Sequence, residues 1–161
     1  MRERLTVVFD ISATPLPWMI LVLPGLGALA VAVLVLVRLR LTESGPRWAR
    51  LVAWAFCFSA VVWAVNWSGM GISRELKARK AIKDGNAAVV GGRVRDFVPE
   101  PAHGHASEHF SVNGITFWYA YSVLKPGFHT SQPHGGPIRE GQYVRVHYVG
   151  DDILKLEIAG E

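Results

Sequence analysis

Five of the six histidines fall between Ala102 and His134, at His103, His105, His109, His129 and His134, and Glu108 lies among them. Neutral imidazole nitrogens and a carboxylate suit a divalent cation such as zinc. On that reading His105, Glu108 and His134 are the ligands, brought from separate loops onto one rim of a domain. The H-x-H-x-x-x-H spacing is not diagnostic of zinc, and the competing reading makes these loop histidines bonded to backbone. A divalent metal is the one cofactor the residues suggest.

His134-Gly135-Gly136-Pro137 reads as a structured turn, because glycine tolerates positive φ and close approach of backbone. No G-x-x-x-x-G-K-[ST] phosphate loop follows it, and no G-x-S-x-G elbow presents Ser107, Ser111, Ser122 or Ser131 as a nucleophile. No residue is therefore assigned a catalytic role. If Phe117 and Tyr119 face a core, alternation turns Trp118 outward, where an indole anchors a partner. Trp118, His134, Gly135 and Gly136 are accordingly the expected partner-binding residues. The alternative folds the loop Lys125 to Pro137 over Trp118.

Two uncharged apolar runs, residues 16–37 and 51–72, precede this region. At about 1.5 Å per residue each is long enough to span about 30 Å of hydrocarbon. The expected layout is an amino-terminal tail (1–15), a first transmembrane helix (16–37), a short basic loop (38–50) turning at Gly45-Pro46, and a second transmembrane helix (51–72). A basic juxtamembrane helix (73–85) and a small β domain (86–161) follow. Trp18 marks the entry to the membrane and Pro24-Gly25 predicts a kink. The first run exceeds a signal-peptide core, so Ala28-Leu29-Ala30 is read as anchor rather than cleavage site.

Within the second run Ala60, Ala64 and Ser68 form a small-residue stripe that lets a helix approach, either the first helix or a second copy of the chain. Asn66 lies near the end of the span, and Trp54, Trp63 and Trp67 read as interfacial or lipid-facing anchors. Cys57, the single cysteine, lies in the same run, so the β domain has no disulfide and no thiolate metal site. Between Ser73, a candidate cap, and Gly85, a candidate stop, Arg74, Lys77, Arg79, Lys80 and Lys83 are expected to meet anionic lipid headgroups.

From Ala87 the period becomes two. Val90 and Val94 flank Gly92 in a first strand; Phe110 and Val112 alternate in a second. Asn113-Gly114 predicts a type I′ hairpin returning through Ile115, Phe117, Tyr119 and Tyr121. Val144, Val146 and Tyr148 make a fourth strand, Gly150-Asp151-Asp152 a turn, and Leu154, Leu156 and Ile158 a fifth. The expected fold is a two-helix transmembrane hairpin followed by a five-stranded antiparallel OB/SH3-like barrel or roll.

The run Val90-x-Gly92-x-Val94-x-x-Phe97, then Gly104-His105-x-x-Glu108-x-Phe110-x-Val112-x-Gly114-x-x-Phe117, then Phe128, His134-Gly135-Gly136-Pro137-Ile138 and Gly141-x-x-Val144-Arg145-Val146-x-Tyr148 resembles the carboxy-terminal half of uncharacterised bacterial membrane proteins. These have two transmembrane helices and a carboxy-terminal small β domain. Trp118-Tyr119-Ala120-Tyr121 departs from that pattern. The resemblance implies layout and no activity.

Residues 1–85 hold 11 Lys/Arg against 5 Asp/Glu, whereas residues 86–161 hold 6 against 8. The basic charge thus belongs to the membrane-flanking segments, and an acidic β domain argues against nucleic acid. The loop between the two runs carries four Lys/Arg and the two ends two and five, so the total count favours both ends in the cytoplasm. The first helix, with two arginines before it and four after it, favours the loop there instead, which places the β domain outside, in the bacterial inner membrane. The function expected is a non-enzymatic binding or assembly module in the cell envelope. A metal-binding or metal-sensing protein and an accessory subunit of a larger membrane complex are the alternatives.

Overall fold

The computed structural model describes residues 4–16, 18–41, 47–101, 106–123 and 125–160, and at 18–21, 39–41, 47 and 49 the backbone alone. It forms two compact units, Leu16–Ser73 and a β unit built from Met1–Pro15 together with Arg74–Glu161.

Among the described residues the β unit contains seven strands in two antiparallel sheets. The four-stranded sheet has the order β1-β7-β6-β2, with β1 at Leu5–Asp10, β7 at Asp152–Ala159, β6 at Tyr143–Val149 and β2 at Ala88–Arg93. The three-stranded sheet has the order β3-β4-β5, with β3 at Arg95–Val98, β4 at Glu108–Val112 and β5 at Ile115–Tyr119. β2 and β3 are separated only by Val94, which is fully buried and exchanges backbone hydrogen bonds with Gln142 and Gly141. One extended segment therefore leaves the first sheet and enters the second at a buried β-branched corner. Just beyond it a bulge sets Asp96 at φ 52, with its carboxylate accepting from the Ser111 hydroxyl at 2.7 Å. The extra residue packs Phe97 against the core.

This arrangement corrects the expected fold. Among the described residues the strands number seven in two sheets, not five in one OB/SH3-like barrel or roll, and the amino-terminal tail supplies β1. Leu5 pairs with Ala159 and Asp10 with Lys155, closing a ladder between residues some 150 apart in sequence. The two-helix transmembrane hairpin is corrected with it. α1 spans Trp18–Leu41 and α2 Arg47–Lys83. Among the described residues one helix, Arg50–Lys83, is long and apolar enough to cross a membrane; Val22–Arg38 is a shorter apolar helix. Nor does a separate juxtamembrane helix begin at Ser73, because α2 runs unbroken through it. Gly85, at φ 70, follows the helix, its N–H bonded to the Ile82 carbonyl.

The core lies between the sheets. Phe110, Val112, Phe117 and Tyr119 meet Val144, Val146, Ile153, Leu156 and Ile158, with Phe128 and Ile138 from the connecting loops. The Asn113-Gly114 turn has φ 47 and 82, both positive as type I′ requires. The Asn113 amide donates to the Gly91 carbonyl at 2.7 Å, and a Cβ on Gly92 would stand 3.0 Å from Asn113 Oδ1. The hairpin of one sheet thereby rests on β2 of the other.

Strict alternation puts Leu154, Leu156 and Ile158 on one face, but a register shift pairs His147 with Lys155 and Tyr148 with Ile153. Ile153 takes the place in the main core, and Leu154 instead joins Ile11 and Ala78 in a second cluster that includes Phe9, Ala81 and Ile82. Through that cluster the last turns of α2 pack against β7.

In the helical unit a Cβ on Gly25 would stand 3.0 Å from Ala64 Cβ and 3.5 Å from Ser68 Oγ, and the Cys57 thiol donates to the Ala32 carbonyl at 3.3 Å. Ala64 and Ser68 of the small-residue stripe thus meet α1, and Ala60 is half-buried one turn away. Asn66 donates to the Val62 carbonyl of its own helix at 2.8 Å, while Trp54, Trp63 and Trp67 are exposed, the last two stacked at 5.8 Å. Pro24 lies inside α1. The Trp18 side chain, Pro17 and the Gly45-Pro46 turn lie outside what is described.

Candidate functional site

Glu108 begins β4, two residues before Phe110 and four before Val112, and shares their inward parity. It is fully buried. One carboxylate oxygen accepts from the Tyr119 hydroxyl across the β4–β5 pair. The other accepts from the Gln132 N–H at 2.8 Å and the Glu100 N–H at 3.3 Å. Burial, then the hydrogen bond to Glu108, pushes the Tyr119 phenol well above its ordinary range. Tyr119 therefore stays a neutral donor and Glu108 an acceptor. The carboxylate ties β4, β5, the segment before residue 101 and the loop at Gln132 to one point.

That loop carries His134. A single 3-10 turn, Gln132–His134, ends at Gly135 in the left-handed region at φ 86. Gly136 has no room for a side chain: its Cβ would stand 2.3 Å from the Thr130 carbonyl oxygen. The Ser131 hydroxyl, fully buried, is hydrogen-bonded to His134 Nδ1 at 2.9 Å, and the exposed Tyr121 ring stacks on the imidazole at 4.0 Å and 5°. A buried hydroxyl and an aromatic face thus hold one exposed imidazole in a fixed orientation, with Nε2 as the nitrogen left for a partner.

On the outer face of the three-stranded sheet, Val98 pairs with His109 and His109 with Trp118, making one cross-strand row. Trp118 is 51% exposed and Val98 47%. The Trp118 indole stacks on the His109 ring at 4.1 Å and 24°. The loop from Lys125 to Pro137 does not close over it; Phe128 instead turns into the core beside Tyr119.

Of the expected metal ligands His105, Glu108 and His134, the last two are described. His103, Gly104 and His105 lie outside the described residues, Glu108 is turned inward with both oxygens engaged, and His134 Nδ1 is taken by Ser131. Among the described residues no group of three or more His, Cys, Asp or Glu stands where it could hold a metal ion. Sequence reasoning missed Tyr119, Tyr121, Ser131 and Glu100 as members of the two networks. The signal for Glu108 was present in its parity with Phe110; none marked Ser131.

The remaining histidines are structural. His129 Nε2–H donates to the Lys125 carbonyl at 2.6 Å, its Nδ1 is buried without a partner, and burial lowers its pKa from 6.5. His147 pairs with Lys155 and is also lowered by burial; near it Glu157, despite burial, is held below its usual carboxylate value by Lys155 and Arg145. A folded-state pKa below the unfolded one means that, as pH falls through 6.5, the unfolded chain takes up the proton first. Stability is then complete above that pH and lost on acidification. His129→Gln, which keeps a donor for Lys125, is expected to reduce the fall in melting temperature between about pH 7.5 and pH 5.5 without abolishing it, since His147 still titrates.

The chain matches no protein-family model, and neither a curated protein nor a solved structure is similar to it at a significant level. The resemblance to two-helix bacterial membrane proteins stays an expectation from sequence.

Proposed function

We propose that this chain is a membrane-tethered binding module of the bacterial envelope, with the β unit outside the cytoplasm and its Trp118 and His134 surfaces offered to a protein partner. The observation that carries the reading is the outer-face row Val98–His109–Trp118, in which Val98 and Trp118 are exposed on either side of a half-buried His109. A half-exposed indole held by ring stacking loses little further freedom on association, which is what an interface anchor needs. His134, held by Ser131 and Tyr121, adds a second preset group. The four arginines between the apolar runs support an external β unit.

One experiment addresses both parts. Thr116 is exposed in the strand beside Trp118. In a Cys57→Ala background, Thr116→Cys on spheroplasts is expected to react with a membrane-impermeant maleimide carrying a photoreactive diazirine and, on irradiation, to give a discrete adduct, lost when Trp118→Ala is added. Failure to label overturns the external placement. Labelling without an adduct overturns the binding reading.

A further inference from the structure

The last turns of α2 carry two faces of opposite character. The inward face holds Glu75 and Ala78, both buried, with Ala81 and Ile82 packed against Ile11 and Leu154. Arg79, one of five cations expected to face lipid, is turned to that side: its Nε and Nη2 donate to Glu75 Oε1 at 3.0 and 2.8 Å. The outward face keeps Arg74, Lys77, Lys80 and Lys83, all exposed, beside Leu76 at 55% exposure. None of these four cations forms an ion pair among the described residues.

A solvated stalk ordinarily intersperses acids among its bases at i, i+4 spacing. Here Glu75 is spent on the half-buried arginine, and on the outward side the exposed Asp84, one turn beyond Lys80, is the single acid beside four cations and an exposed leucine, so that side stays net positive. It follows, in the same helix, the apolar stretch long enough to cross a membrane.

We infer that the Arg74, Lys77, Lys80, Lys83 face docks on an anionic phospholipid headgroup layer, and that Arg79 takes no part. The inference rests on membrane embedding of the α2 apolar segment. It also sets an order of effects. A headgroup layer is roughly 5–8 Å deep per leaflet and a helix rises about 1.5 Å per residue, so Arg74 and Lys77 fall within it. Lys80 and Lys83 lie farther out and act through a field screened over about 8 Å at physiological ionic strength.

The test uses the full chain in a neutral detergent, titrated with short-chain phosphatidylglycerol or phosphatidylcholine, with lipid binding read by native mass spectrometry. Phosphatidylglycerol is expected to bind in preference. R74Q/K77Q is expected to weaken it by about 30-fold, and K80Q/K83Q by a few-fold. Equal binding of the two lipids, an unchanged R74Q/K77Q variant, or displacement by equimolar inorganic phosphate overturns the inference. Alkaline extraction of cell membranes separates the two readings. A chain released by alkali overturns both the tether and this contact, whereas a chain retained without preference for phosphatidylglycerol overturns the contact alone.

Discussion

Glu108→Ala is expected to destabilise the β unit by about 3–5 kcal/mol. The carboxylate accepts from three donors, the Tyr119 hydroxyl and the Gln132 and Glu100 amides, at a fully buried position. Removing it orphans all three in a site water does not reach, and each buried unsatisfied donor costs about 1–3 kcal/mol. For a domain of this size about 1 kcal/mol shifts the melting temperature by roughly 4–8 °C, so a fall of about 12 °C or more is expected in near-UV circular dichroism of the full chain. Glu108→Gln preserves shape but points an NH2 at groups that are themselves donors, so it falls between wild type and alanine. Tyr119→Phe removes one donor, and a double-mutant cycle with Glu108→Gln should show non-additivity, because both substitutions act on one hydrogen bond. A loss below about 1 kcal/mol for Glu108→Ala would mean that solvent already reaches the carboxylate.

The same residue shows how far the sequence was legible. Phe110 and Val112 alternate in a strand and Glu108 has their parity, yet its charge places it on the rim when only the sequence is considered. Burial of a carboxylate is affordable only where several donors converge, and those donors come from residues 100, 119 and 132, which no local pattern links. Local signals did well where the physics is local. Asn113-Gly114 fixes its turn through two positive φ values, and Trp118 faces outward because Phe117 and Tyr119 face in. Bulges escaped notice for the opposite reason. One extra residue at Leu154 moves that side chain into a second cluster and Ile153 into the first, and only the pairing with β6 records it. Ser73 resembled a helix cap, but α2 continues because Ala78, Ala81 and Ile82 gain burial against Ile11 and Leu154.

Deleting residues 1–11 is expected to have the larger effect of the two, although by sequence they form only a short tail of mixed composition. The six residues of β1 complete the ladder on β7, and Phe9 touches both hydrophobic clusters, with its ring 5.6 Å from Phe128. Ile11 is 2% exposed against Leu154 and Ala78. Burial of two large side chains accounts for roughly 3–6 kcal/mol before any ladder hydrogen bond is counted. That is comparable with the whole stability of a small domain, about 5–15 kcal/mol. The truncated chain should therefore lose amide protection along β7 in hydrogen exchange, and β7 becomes an unpaired edge prone to association. Phe9→Ala alone should cost about 2–3 kcal/mol, less than a fully buried phenylalanine because Phe9 is only partly covered. Val7→Thr, on the exposed side of the same strand, should change stability by less than about 0.5 kcal/mol. A synthetic peptide of residues 4–15 added to the truncated chain should restore protection in β7, since the groove between Phe128 and Leu154 is shaped by the rest of the unit. If truncation instead leaves β7 protected, the amino-terminal strand does not close this sheet.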